Sequence, residues 1–112
     1  MTVALVLFGI AALGGLLLAG IRFSGQPYPP LVLAFVHGLL AASGLVALIL
    51  AITQVGTPDL AKVSLVVFLL AAAGGFALIS KHLRKLALPK ALVIAHGLAA
   101  VVAFILLLIA RF

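Results

Sequence analysis

The sequence predicts an all-α integral membrane protein, a four-helix up-down bundle built from two parallel-repeat helical hairpins. Of its 112 residues, 68% are hydrophobic and only 7% are charged, which is a balance typical of membrane-spanning chains rather than of soluble domains. Its apolar runs are about 20 residues long, the length that crosses a hydrocarbon core of roughly 30 Å. We therefore expect a single transmembrane domain over residues 1–112 and no soluble domain.

Proline-rich and glycine-rich loops separate the helices. We predict four helices, at about residues 3–22, 30–52, 58–86 and 89–111. The third is expected to start at Pro58, with Thr57 as its N-cap and Asp59 near the positive end of its dipole. Asp59 is the only acidic residue in the chain, so this position favours a structural role for it over catalysis.

The two halves of the chain, residues 1–56 and 57–112, repeat one pattern at a spacing of about 60 positions. In each half, a glycine pair in the first helix is followed by a histidine in the second. The residues concerned are Gly14, Gly15 and His37 in the first half and Gly74, Gly75 and His96 in the second. Both hairpins run in the same direction, as in a parallel internal repeat.

The formal charge of +6 does not indicate nucleic-acid binding, because the basic residues cluster at helix ends, where they meet lipid headgroups. Most of them flank the two hairpin loops: Arg22, Lys81, Arg84, Lys85 and Lys90. Lys62 and Arg111 lie at the opposite side. The positive-inside rule then predicts cytoplasmic hairpin loops and both termini outside. As the location we expect a bacterial-type inner membrane. His82, within the basic segment, is expected to face solvent or headgroups.

Histidine inside a membrane span is by default a functional hypothesis. A lone one could simply donate to a backbone carbonyl or to Ser43. Two in register favour a shared ligand, since His37 and His96 each lie about 10 Å along their helices. In an up-down bundle the second and fourth helices are diagonal, roughly 12–14 Å apart, which suits two imidazoles on one iron. We expect each to donate its other nitrogen to a carbonyl at i−4 of its own helix.

The surroundings of the two histidines are rich in small residues, which leaves room for a flat ring. On the histidine-bearing faces these are Ala34, Ala41, Gly44, Ala99, Ala100 and Ala103. The glycine pairs of the first and third helices lie at the same depth. Haem propionates would meet the basic rim, with candidates Arg22, Lys81, Arg84 and Lys85. The sequence thus predicts one haem b per chain, with His37 and His96 as iron ligands and no catalytic residue.

This layout resembles the haem-binding four-helix bundle of membrane b-type cytochromes, including the cytochrome b561-like and bc-complex cytochrome b families. In those families, histidines on the second and fourth helices hold haem and glycines on the first and third make room. The resemblance implies electron transfer, with quinone or a redox protein as partner, and a role as haem subunit of a membrane oxidoreductase. Those families usually carry two histidines per ligand helix, whereas none occurs here near Ala51 or Ala110, so a single haem is expected.

Other classes stay open at this point. The chain could be a small transporter or channel whose histidines relay protons, or a structural subunit that packs through its small residues. Zinc is disfavoured, because two histidines supply half of a tetrahedral shell. The absence of cysteine excludes covalently attached haem and iron–sulfur clusters. Among partners we expect the lipid bilayer and no nucleic acid, and a homodimer stays open.

Overall fold

The computed structural model describes all 112 residues, and every regular element in it is helical. The bounds of the four α-helices are, in chain order, α1 Thr2–Phe23, α2 Leu31–Leu50, α3 Asp59–Leu83 and α4 Lys90–Arg111. A π-helical segment, Ala51–Val55, extends α2. With that extension each helix has 22 to 25 residues.

All four helices are long and apolar enough to cross a membrane. Only 14 of the 112 residues are buried, and large apolar side chains cover the outer surface. Leu13 and Leu16 are each 69% exposed, and Leu70 is 66% exposed. Such a continuous apolar exterior is far larger than the patches that soluble monomers expose. It suits lipid as the surrounding solvent.

The third helix is shorter than the sequence predicts. It ends at Leu83 rather than near residue 86, because Lys85 takes a left-handed backbone conformation with φ of 56°. The amide of Leu86 then donates to the carbonyl of Lys81, and that of Lys85 to the carbonyl of His82. This is the paired closure of a Schellman motif, with a lysine at the position that glycine usually occupies.

The expected cap of α3 is also different. Pro58, not Thr57, takes the N-cap position, and the hydroxyl of Thr57 is buried without a hydrogen-bond partner. Asp59 is fully exposed and accepts a hydrogen bond of 2.9 Å from Lys62, one turn further along. The prediction that Thr57 caps the helix is therefore wrong, while Asp59 lies in the first turn as expected.

The helices pack as a closed ring in which α1 contacts α2 and α4, and α3 contacts α2 and α4. Contact is most extensive within each hairpin, α1 on α2 and α3 on α4. The two hairpin loops meet at one end, where the amide of Leu88 donates to the carbonyl of Pro27 over 2.9 Å. At the same place Arg22 Nε donates to the carbonyl of Leu88 over 2.8 Å.

The packed core occupies the opposite end, near the chain termini. Phe8 of α1 stacks on Phe68 of α3, with ring centroids 3.8 Å apart and planes 9° from parallel. Ser64 is fully buried, and its hydroxyl donates to the carbonyl of Ala103 over 2.7 Å. Leu48 and Leu107 complete this region and are fully buried. The molecule thus has a solid half near its termini, and this leaves the half near the hairpin loops to hold a cavity.

Candidate functional site

A cavity of about 760 Å³ lies among the four helices in the half nearer the hairpin loops. Phe8 and Phe68 form its floor, and residues of all four helices line its walls. The lining is apolar apart from four side chains: Arg22, His37, His82 and His96. Pockets of about 300–1,000 Å³ with an apolar lining and a few polar groups are typical ligand sites.

Each of the two predicted ligand histidines makes one hydrogen bond, and the two bonds are equivalent. His37 Nδ1 lies 2.8 Å from the carbonyl oxygen of Ala11, and His96 Nδ1 lies 2.7 Å from that of Ala71. A carbonyl can only accept, so Nδ1 carries the hydrogen in both rings. In a neutral imidazole this leaves the lone pair on Nε2, which has no hydrogen-bond partner in either residue.

The carbonyl partners differ from the sequence expectation. They were expected on the histidine's own helix at i−4, whereas Ala11 belongs to α1 and Ala71 to α3. Each imidazole therefore crosses to the other helix of its hairpin and is held there by backbone. Such a second contact fixes the tautomer and orientation of a metal-binding histidine.

The glycine pairs explain how the imidazoles reach those carbonyls. A Cβ on Gly15 would lie 3.1 Å from Cε1 of His37, and one on Gly75 would lie 3.2 Å from Cε1 of His96. Gly14 and Gly74 lie against the Cβ atoms of the same histidines, at 3.8 and 3.4 Å from the equivalent added carbon. At this level the space that the glycines leave is filled by imidazole.

The two imidazole rings come close together across the cavity. Their centroids are 6.1 Å apart and their planes are inclined by 82°. Two imidazoles on opposite sides of one metal ion would have centroids about 6 Å apart, from metal–nitrogen bonds of about 2.0–2.1 Å and a ring radius of about 1.1 Å. The spacing of His37 and His96 therefore fits one shared ion. No group of three or more histidine, cysteine or acidic side chains exists, so protein ligands alone do not complete a zinc shell.

The remaining predicted site residues divide into three groups. Six of them line the cavity: Gly15, Ala34, Ala41, Gly75, Ala100 and Arg22. Gly44 and Ala103 are buried in the packed core instead, where a Cβ on Gly44 would lie 2.8 Å from the ring of Phe8. Six others lie outside the lining: Gly14, Gly74, Ala99, Lys81, Arg84 and Lys85.

The third histidine lies in the cavity wall, contrary to the expectation that it faces headgroups or solvent. His82 is only 6% exposed, and the ring of Tyr28 packs on it with centroids 5.2 Å apart. The segment is strongly basic, which hid this residue among its neighbours. The repeat holds the missing signal, because His82 follows Arg22 by 60 positions, the offset that separates Gly14 from Gly74.

Comparison of the chain with protein-family models, with curated proteins and with solved structures found no match. The case for a function therefore rests on the cavity and on the side chains that line it.

Proposed function

We propose that this chain is an up-down four-helix bundle of two repeated hairpins and acts as a mono-haem b-type membrane cytochrome. His37 and His96, one from each hairpin, would hold the haem iron. The proposed location is a bacterial-type inner membrane, with the hairpin loops in the cytoplasm because most basic residues flank them. The proposal matches the resemblance to membrane b-type cytochromes that the sequence carries.

The observation that carries the proposal is the spacing and state of the two imidazoles. The rings are 6.1 Å apart, the distance expected for coordination from opposite sides of one ion. Their Nδ1 atoms bind backbone carbonyls, which leaves Nε2 as the free donor atom that iron requires. Both features occur together in two hairpins that supply one histidine each.

The cavity supports haem over a bare metal ion. Two imidazoles leave four positions of an octahedral shell unfilled, and the surrounding side chains offer no oxygen or sulfur ligand. A macrocycle that brings four nitrogen ligands of its own resolves this shortage. The apolar walls and the volume of about 760 Å³ suit a flat hydrophobic ring and exclude water from it.

Bound haem would supply a one-electron couple to the site. Because two protein side chains would both bind the iron, the site would favour electron transfer over oxygen binding. The chain contributes rigid placement of the two imidazoles and a dry surrounding, both of which set redox behaviour. A membrane quinone or a redox protein is the proposed partner, as the resemblance implies.

The test is the absorption spectrum of the protein purified from haem-sufficient cells. We expect a Soret band that sharpens on reduction, with the pattern of low-spin bis-imidazole iron. His37→Ala and His96→Ala should each abolish that pattern, while Ser43→Ala, an exposed change on the same helix as His37, should preserve it. A wild-type protein without a Soret band contradicts the proposal.

A further inference from the structure

Two of the four polar side chains in the cavity wall are not proposed iron ligands: Arg22, one of four sequence candidates for a propionate contact, and His82, to which the sequence assigned no role. They occupy corresponding positions in the two halves of the chain, 60 residues apart. Each follows the second glycine of its own pair, Gly15 or Gly75, by seven residues. Two helical turns of this kind correspond to about 10 Å along the axis, so the pair lies beyond the imidazoles, at the loop end of the cavity.

His82 is a largely buried side chain that lines the cavity and makes no hydrogen bond within the protein. The residue is only 6% exposed, yet its ring nitrogens keep some accessible surface and are not sealed off by protein atoms. The ring of Tyr28 covers it at a centroid distance of 5.2 Å and an inclination of 41°. These nitrogens are among the few polar atoms in an otherwise apolar wall, and they have no protein partner to compete for them. A carboxylate in the cavity could therefore accept a hydrogen bond from the N–H of the His82 ring.

Arg22 is held in place with donors to spare. Its Nε donates to the carbonyl of Leu88 over 2.8 Å, and its Nη1 donates to that of Gln26 over 3.2 Å. A guanidinium has five N–H donors and no acceptor, so these bonds orient the group and leave Nη2 free. Its charge is not neutralised locally, because the only carboxylate side chain, Asp59, pairs with Lys62.

We propose that Arg22 and His82 form a carboxylate-binding site at the loop end of the cavity. This inference deepens the proposed function and rests on it for the identity of the ligand, whose propionate groups are the carboxylates bound. A ligand that matches this cavity has a flat apolar body, a central metal ion that two imidazoles can bind, and an anionic edge near Arg22 and His82. Lys81, Arg84 and Lys85 lie outside the lining and are not part of this site.

The test compares two pairs of porphyrins on the purified full chain stripped of ligand. The first pair is haem and its dimethyl ester, in which both carboxylates are blocked. The second pair is metal-free protoporphyrin and its dimethyl ester, which need no axial ligand. The key variant is His82→Phe, which keeps an aromatic ring against Tyr28 and removes both ring nitrogens. The matched control is Lys81→Gln, an adjacent change that removes a positive charge outside the lining.

We expect His82→Phe to weaken binding of both free acids by about tenfold or more, the loss typical of a hydrogen bond to a charged group, and to leave the esters unaffected. Arg22→Gln should weaken the acids further, and its ester complex reports whether the variant still folds. Equal loss for acids and esters, or no loss at all, would overturn the site. An equal effect of Lys81→Gln would also overturn it and would show that positive charge outside the cavity, rather than His82, favours the free acids.

The two porphyrin pairs keep this inference separate from the cytochrome proposal. If haem binds without a low-spin bis-imidazole spectrum while metal-free protoporphyrin is bound more weakly by His82→Phe, the ligation scheme fails and the carboxylate site stands. If neither metal-free form nor haem binds to the wild-type protein, the carboxylate site is overturned as well.

Discussion

Gly15 lies so close to His37 that a Cβ at position 15 would be 3.1 Å from the Cε1 atom of the imidazole. The same relationship joins Gly75 to His96 at 3.2 Å. Each contact spans the two helices of one hairpin. The imidazole can take its observed orientation only because the neighbouring helix has no side chain at the glycine.

Gly15→Ala should weaken haem binding by about tenfold, in the range found when the support of a metal-binding histidine is disturbed. The added methyl group forces the ring of His37 to shift by a few tenths of an ångström, which strains its hydrogen bond to the carbonyl of Ala11. Gly20→Ala is the matched control, since nothing lies within 4 Å of a Cβ there and it belongs to the same helix. Titration with haem measures both, and equal affinities would contradict the expected role of Gly15.

Phe8→Ala should lower the thermal unfolding temperature, because it removes the stack on Phe68 and opens a void at the floor of the cavity. In lipid or detergent the transfer term is small, so the loss should stay below the roughly 3 kcal/mol at which Phe→Ala changes begin in soluble cores. Phe112→Ala serves as the control, as this ring is 92% exposed. An unchanged midpoint for Phe8→Ala would show that the stack contributes nothing to stability.

Ser64→Ala removes the buried hydrogen bond between α3 and α4. Hydrogen bonds between membrane helices contribute about 0.6 kcal/mol on average and about 1.7 kcal/mol at most, so we expect a small but measurable loss of stability. Ser43→Ala is the counterpart, because Ser43 is exposed and donates to Leu39 of its own helix. Reversible unfolding in detergent compares the two, and a larger effect at Ser43 would refute this ranking.

Asp59→Asn should leave both the unfolding temperature and the haem spectrum unchanged. The carboxylate is fully exposed and pairs only with Lys62, and exposed pairs of this kind contribute little. The transporter alternative depends on the two histidines instead. Proton flux through haem-free protein in liposomes, lost in His37→Ala and kept in Asp59→Asn, would favour that class over a cytochrome.

The number of helices, and their length and apolar character, could be predicted from the sequence. Four apolar runs between proline-rich and glycine-rich loops are hard to arrange in any other way. The observed α1 and α4 begin and end within a residue or so of the predicted bounds. The end of α3 was missed because it depends on Lys85 in a left-handed conformation, which a sequence rich in helix-forming residues does not reveal. That the two hairpin histidines come together was also predicted, from their equal depth on diagonal helices.

The details of the site were less predictable. The contact of His37 with Ala11 depends on how far the ring can enter the groove beside a glycine pair, and lateral register between helices is not encoded in the spacing along one of them. The placement of Gly44 beneath Phe8 depends on which way an aromatic ring turns. The basic residues around His82 led to the expectation that it faces solvent or headgroups. A residue at a helix end can face inward, however, when a loop residue such as Tyr28 covers it.

The contacts within each hairpin are far more extensive than those between hairpins. The cavity lies at the boundary between the two hairpins, and each hairpin contributes one imidazole to it. A molecule bound there would contact both hairpins and stabilise their association. Because it binds only the folded protein, the melting temperature should rise with ligand concentration. An isolated hairpin would keep only one of the two imidazoles, and so only one of the two proposed bonds to the ligand.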